Sequence, residues 1–139
     1  MHRKILHGLD GSAGSLKALA EAIELAQHFG AELHTISVEE VPRYPGTIGE
    51  VVEEKAAANG LFAEALVQAR RMAAEGGIEL RVHVVVGHEV KTIVEFIKAH
   101  GFDLLVIGFM GHSALYERVM GGTCQNLVRL APCSVVVVK

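Results

Sequence analysis

The sequence predicts an α/β fold, a doubly wound five-stranded parallel sheet with helices on both faces. Two observations carry this. Short apolar runs alternate along the whole chain with stretches of helical periodicity, in the order β-α-β-α-β-α-β-α-β. The run "DLLVIG" is continuously apolar, as a strand covered on both faces is. Parallel neighbours need a crossover, a helix supplies it, and the right hand is preferred. At 139 residues the chain is expected to form one domain, residues 1–139, around one core.

The elements follow in order. "RKILHGL" reads as the first strand, ending near Gly8. Leu16, Leu19, Ile23 and Ala26 then repeat at helical spacing, with Ser12 placed to cap that helix and Gly30 to end it. "ELHTISV" is the second strand, and "EEVPRYPGTIGEVV" is a long loop marked by two prolines and two glycines. A second helix from about Val51 to Glu75 is expected to bury Phe62, Leu66, Ala69 and Met72 and to close at Gly76 and Gly77. "ELRVHVVVG" alternates Leu80, Val82, Val84 and Val86 against Arg81 and His83, the pattern of a half-exposed edge strand. Val90, Ile93, Val94 and Ile97 define a third helix, Cys124, Leu127, Val128 and Ala131 a fourth, and "SVVVV" the last strand.

Composition removes several function classes. Half of the residues are hydrophobic and 21% are charged, which fits a globular chain. The formal net charge is −3 with no basic run, so no nucleic-acid partner is expected. Asp10 interrupts the first apolar patch too early for a signal peptide, and no apolar run reaches membrane-spanning length. The expected address is the cytoplasm, and the two cysteines, Cys124 and Cys133, make no disulfide framework.

In doubly wound folds ligands bind beyond the carboxyl ends of the strands, which directs attention to residues 8–15, 38–50, 87–90 and 108–122. The stretch "GFMGHSALYERVMGGT" holds glycines at 108, 111, 121 and 122. Glycine lets backbone amides approach a ligand, and a helix start presents unpaired N–H groups and a positive dipole end. Spacing alone also allows the plainer reading, a strand end followed by a helix start. Neither G-x-x-x-x-G-K-[S/T] nor G-x-G-x-x-G occurs, since the first turn is "GLDGSAG". A P-loop NTPase and a dinucleotide enzyme are therefore unsupported.

"KILHGLDGS", "GFDLLVIGFMG", Gly108-x2-Gly111-x9-Gly121 and "LVRLAPCSVVVVK" together make the chain resemble the universal stress protein family over essentially its whole length. The resemblance implies strand order 3-2-1-4-5, homodimerisation through the last strand at Val135 to Val138, and ATP or a related adenine nucleotide such as AMP at the strand tips. It implies that Asp10 meets the ribose or a phosphate-bound Mg²⁺, which makes Asp10 the one candidate metal ligand. Backbone groups of Val38 would meet the adenine edge, with Gly87 in the matching third-strand turn. Gly108, Gly111, Gly121 and the amides after them would meet ribose and phosphates. Where the family carries serine or threonine this chain has Gly122, with Thr123 one place late, so the amide at 122 stays and the hydroxyl contact is shifted.

Other candidates are weaker. Asp10 before Gly11 and Ser12 also suits a turn. Glu39 and Glu40 read as solvated loop carboxylates. The eight histidines show no zinc-site spacing and read as surface or packed residues, His112 being the one inside the glycine loop. Cys124 sits in a helix first turn, but packing accounts for it without redox chemistry. Three functions remain open: a dimeric regulatory protein of the stress response that binds nucleotide, a slow Mg²⁺-dependent nucleotide hydrolase or phosphotransferase using Asp10, and a nucleotide-free interaction module. No water-activating base with an orienting partner is evident, so at most weak ATPase activity is expected.

Overall fold

A computed structural model describes residues 1–40, 63–109 and 122–139. Five strands, β1 (Lys4–Gly8), β2 (Glu32–Glu40), β3 (Leu80–Gly87), β4 (Leu104–Gly108) and β5 (Ser134–Val138), pair in parallel in the order β3-β2-β1-β4-β5. Four helices connect and cover them: α1 (Ala13–Phe29), α2 (63–75), α3 (Glu89–His100) and α4 (Thr123–Leu130). Both the fold class and the strand order agree with expectation. Among the described residues no helix is long and apolar enough to cross a membrane.

Alternation along each strand divides the core into two layers. Ile5, Leu9, Leu33, Leu104, Val106 and Val138 face α1 and α2, whose buried contacts are mostly alanines, Ala18, Ala22, Ala26, Ala65, Ala69 and Ala73. Leu6, Ile36, Val38, Leu105 and Ile107 face Ile93 and Ile97 of α3 and Cys124 and Leu127 of α4. The caps of α1 are those read from sequence: the Ser12 hydroxyl accepts from the Ser15 amide, and Gly30 takes the left-handed conformation at φ 64°.

Several local readings change. β2 runs on to Glu40, so Glu39 and Glu40 are strand residues, and the Glu40 carboxylate accepts from the Glu89 amide at 3.0 Å. It thereby caps α3, whose own N-cap residue His88 makes no side-chain cap bond. β3 is an edge strand as expected, but Val84 and Val86 are exposed while Val85, in the opposite phase, packs on the α3 side. Val128 is exposed, because the eight-residue α4 turns only the stripe of Cys124 and Leu127 inward. Leu66 and Met72 pack at the margin of a layer whose buried α2 positions are alanines; residues 51–62, including Phe62, lie outside the described residues.

Toward the amino ends of the strands, on the α3 side, rings gather. His34 of β2 and His83 of β3 share a hydrogen bond, Nδ1 to Nε2, at 2.9 Å. Their planes differ by 5° with centroids 5.2 Å apart, so the rings meet edge to edge within one plane. Phe102 packs edge-on to His34, Phe96 against His83, and the Lys4 ammonium lies 4.8 Å from the Phe102 centroid. Burial lowers the pKa of both histidines; His83 and Lys4 add to this at His34, and His100 and Lys4 at His83. Among the described residues the buried His34 Nε2 has no hydrogen-bond partner, and Glu32 Oε2 lies 3.7 Å from it.

Candidate functional site

The chain leaves β1 toward β2 and β3 on one side and returns to β4 and β5 on the other, so the strand order reverses between β1 and β4. The crevice beyond the carboxyl ends of these two strands is where this architecture receives a ligand. Asp10 follows β1 there, and Gly108 ends β4. Val38 lies near the end of β2, buried on the α3 side, and Gly87 ends β3 opposite Glu40. Gly122 and Thr123 begin α4. Topology therefore brings Asp10, Val38, Gly87, Gly108, Gly122 and Thr123 to one end of the sheet. Gly111, Gly121 and His112 lie outside the described residues.

The first turn is tightly specified. Asp10 Oδ1 accepts from the Ser12 amide at 2.9 Å and from the Ser12 hydroxyl at 2.5 Å, closing an Asx turn around Gly11, whose φ of 86° suits glycine. The Ser15 hydroxyl donates to the Ser12 carbonyl at 2.8 Å. Asp10 is thus a turn residue, held half-buried at the mouth of the crevice.

Beneath this turn lies His7, completely buried on the α1 side of β1. Its Nε2 is 2.7 Å from the Ser15 carbonyl and its Nδ1 is 2.8 Å from Thr35 Oγ1. A carbonyl only accepts, which assigns the proton to Nε2. Burial pushes the pKa down to about 4, against smaller opposing effects of the Ser15 bond and Asp10, so the ring is neutral near pH 7 and Nδ1 accepts from the Thr35 hydroxyl. Sequence reasoning grouped His7 with surface or packed histidines. Its signal was phase, since it stands between Ile5 and Leu9 on the inward side of β1.

The glycines are not alike. At Gly108 a Cβ would lie 2.8 Å from the Gly14 carbonyl oxygen, so β4 and the first turn of α1 approach backbone to backbone. At Gly87 a Cβ would collide with the Thr92 hydroxyl. Close packing accounts for both glycines, whatever they do for a ligand. Gly122 caps α4 at φ 25° and ψ −177°, where a Cβ is strained. The backbone at this position favours glycine over the hydroxyl residue that the resemblance puts there.

Comparison with known proteins adds the family. The model of the universal stress protein family matches residues 1–139. The chain belongs to the universal stress protein family. A universal stress protein of Methanocaldococcus jannaschii is 32% identical across the whole of this chain and 83% of its own length. The solved universal stress protein UspA of Lactobacillus plantarum superposes with a TM-score of 0.89 at 26% identity, over 99% of this chain and 98% of the other. A universal stress protein crystallised in complex with cAMP superposes with a TM-score of 0.79 at 27% identity, over 99% and 97%.

Proposed function

We propose that this universal stress protein binds an adenine nucleotide, ATP or AMP, in the crevice at the carboxyl ends of β1, β2 and β4, and acts as a dimeric regulator in the stress response. The observation that carries this reading is the Asp10 turn, ordered by Ser12 at the point where strand order reverses. Support comes from the relative in complex with cAMP. In this reading Asp10 meets the ribose, the backbone at Val38 the adenine edge, and Gly87 lies in the neighbouring turn. Amides at Gly108, Gly111, Gly121, Gly122 and Thr123 meet ribose and phosphates.

Among the described residues no group of three or more His, Cys, Asp or Glu could hold a metal ion. A lone carboxylate suits Mg²⁺ only where nucleotide phosphates and water complete the shell, so Asp10 fits an ion that arrives with ATP. The ion would neutralise phosphate charge. The same reading makes the protein cytoplasmic and holds nucleotide far longer than it cleaves it.

Dimerisation through Val135 to Val138 belongs to this proposal. β5 is an edge strand of the sheet, and an apolar edge is stabilised by a covering partner. The test is calorimetric titration of ATP, AMP and cAMP into wild type and Asp10→Ala, with sedimentation of the wild type. Binding should weaken by at least about tenfold in the variant, the equivalent of one charge-assisted hydrogen bond. No binding of any of the three at millimolar concentration would overturn the nucleotide reading, and a monomer across micromolar concentrations would overturn the dimer.

A further inference from the structure

We propose that His7 is the positioning residue of the candidate site: bonded through both ring nitrogens, it clamps the first turn of α1 to β1 and β2 and thereby sets the place of the Asp10 carboxylate. The inference deepens the nucleotide reading and rests on it for the ligand, though not for the clamp.

The bonds form a continuous relay. The Thr35 hydroxyl donates to His7 Nδ1, and His7 Nε2–H donates to the Ser15 carbonyl. The Ser15 hydroxyl donates to the Ser12 carbonyl, and the Ser12 hydroxyl donates to Asp10 Oδ1. One end of the relay is fixed inside the sheet, where His7 and Thr35 are paired residues of β1 and β2 and both are fully buried. The other end is a half-buried carboxylate at the crevice. An apolar residue of the same bulk would fill the space between Ile5 and Leu9 equally well, so packing alone does not call for histidine. What the imidazole adds is a directed donor toward α1 and an acceptor toward β2.

His7 does not touch the proposed ligand region. It acts through Ser15 and Ser12, and its loss should therefore move the turn without dismantling the sheet. Burial bears most on its proton; the groups that act on it are Ser15 and Asp10, from the turn it holds, and the Thr35 hydroxyl of β2. Within the described structure the only other buried histidine is His34, which lies on the opposite face and takes no part in the relay.

The test compares His7→Leu, which keeps bulk and loses both bonds, with His7→Gln, which retains a donor and an acceptor. In His7→Leu, amide exchange at Ser15 and Leu16 should quicken, and ATP or AMP affinity should fall, each by about tenfold, the worth of one buried hydrogen bond. Amides of Leu105 and Val106 in β4 should keep their protection. His7→Gln should recover both properties to within about threefold of wild type. A histidine ¹⁵N spectrum of wild type should show His7 as the Nε2–H tautomer, a readout that survives even if His7→Leu does not fold. Unchanged exchange in folded His7→Leu, equal behaviour of Leu and Gln, or an Nδ1–H tautomer would each overturn the proposal. If wild type binds no nucleotide, the nucleotide reading fails, and exchange and the tautomer still decide whether His7 holds the turn.

Discussion

Two regions of this sheet bury histidines, and they use them in opposite ways. Near the carboxyl ends, His7 has both nitrogens bonded to groups on two other elements, one bond anchored on Thr35 in the sheet and the other leading through Ser15 and Ser12 toward the Asp10 turn. Toward the amino ends, on the other face, His34 and His83 bond to each other, and among the described residues His34 Nε2 has no hydrogen-bond partner. A fully satisfied buried polar group specifies one arrangement, while a half-satisfied one carries an uncompensated desolvation cost. Burial of the same residue type thus has two values, set by where its hydrogen bonds go.

Acid should reveal the contrast first. The folded pKa of His7 is about 4, below the ordinary 6.5. The unfolded chain therefore takes up the proton first, and stability present above pH 6.5 is lost progressively as pH falls toward 4. For His7 alone the loss is about 3 kcal/mol. His34 and His83 shift in the same direction and add to the wild-type slope. Urea unfolding of wild type and His7→Gln between pH 7 and 4 measures both parts, and an unchanged slope in the variant would remove His7 from the account.

Next in size is Gly108→Ala. The new Cβ would stand 2.8 Å from the Gly14 carbonyl oxygen, a backbone atom that cannot step aside without moving α1. The expected destabilisation is about 2 kcal/mol by urea unfolding, with the exchange of the Ser15 amide quickened as well. A smaller cost, about 1 kcal/mol, is expected for Gly122→Ser, since φ there is 25°, and nucleotide affinity should not improve. Tighter binding in that variant would mean that the hydroxyl outweighs backbone strain.

The least effect belongs to the amino end. His34→Leu removes a ring whose Nε2 has no hydrogen-bond partner among the described residues, and His83, half-buried, can turn its nitrogen to water. Stability at pH 7 should stay within about 1 kcal/mol of wild type, or rise. A loss as large as that of His7→Leu, measured by the same urea titration, would erase the distinction between the two regions.

Much of this frame was legible in the residues. Leu16, Leu19, Ile23 and Ala26 mark the inward stripe of α1, Ser12 and Gly30 its ends, and the unbroken "LLVIG" a strand covered on both faces. These are local signals. Strand order came only from family resemblance, because periodicity says nothing about which strands are neighbours. The role of Glu40 was hidden for the same reason: it caps a helix 49 residues further on. At His7 the phase was visible, but Thr35 and Ser15 become its partners only after β1, β2 and α1 are packed. Gly108 was legible as a special position, yet its closest neighbour, Gly14, comes from the other end of the chain. For the candidate site, sequence reached the loops and the turn residue, while the buried support under the turn needed the fold.

The pairing of β1 with β4 bears on how the protein comes into being. The Asp103 carboxylate accepts from the amides of Arg3 and Lys4, and the first of these bonds joins residues 100 apart in sequence. β1 therefore waits for its second neighbour until most of the chain has been made, and the closing of so long a loop is rewarded late. During synthesis β1, β2 and β3 can assemble as a three-stranded sheet with the β1 edge open, a surface that invites pairing with another chain. The crevice beside Asp10 has no second wall until Gly108 has emerged and β4 has closed on β1, so the proposed nucleotide site takes shape only with the closing of the sheet at its centre.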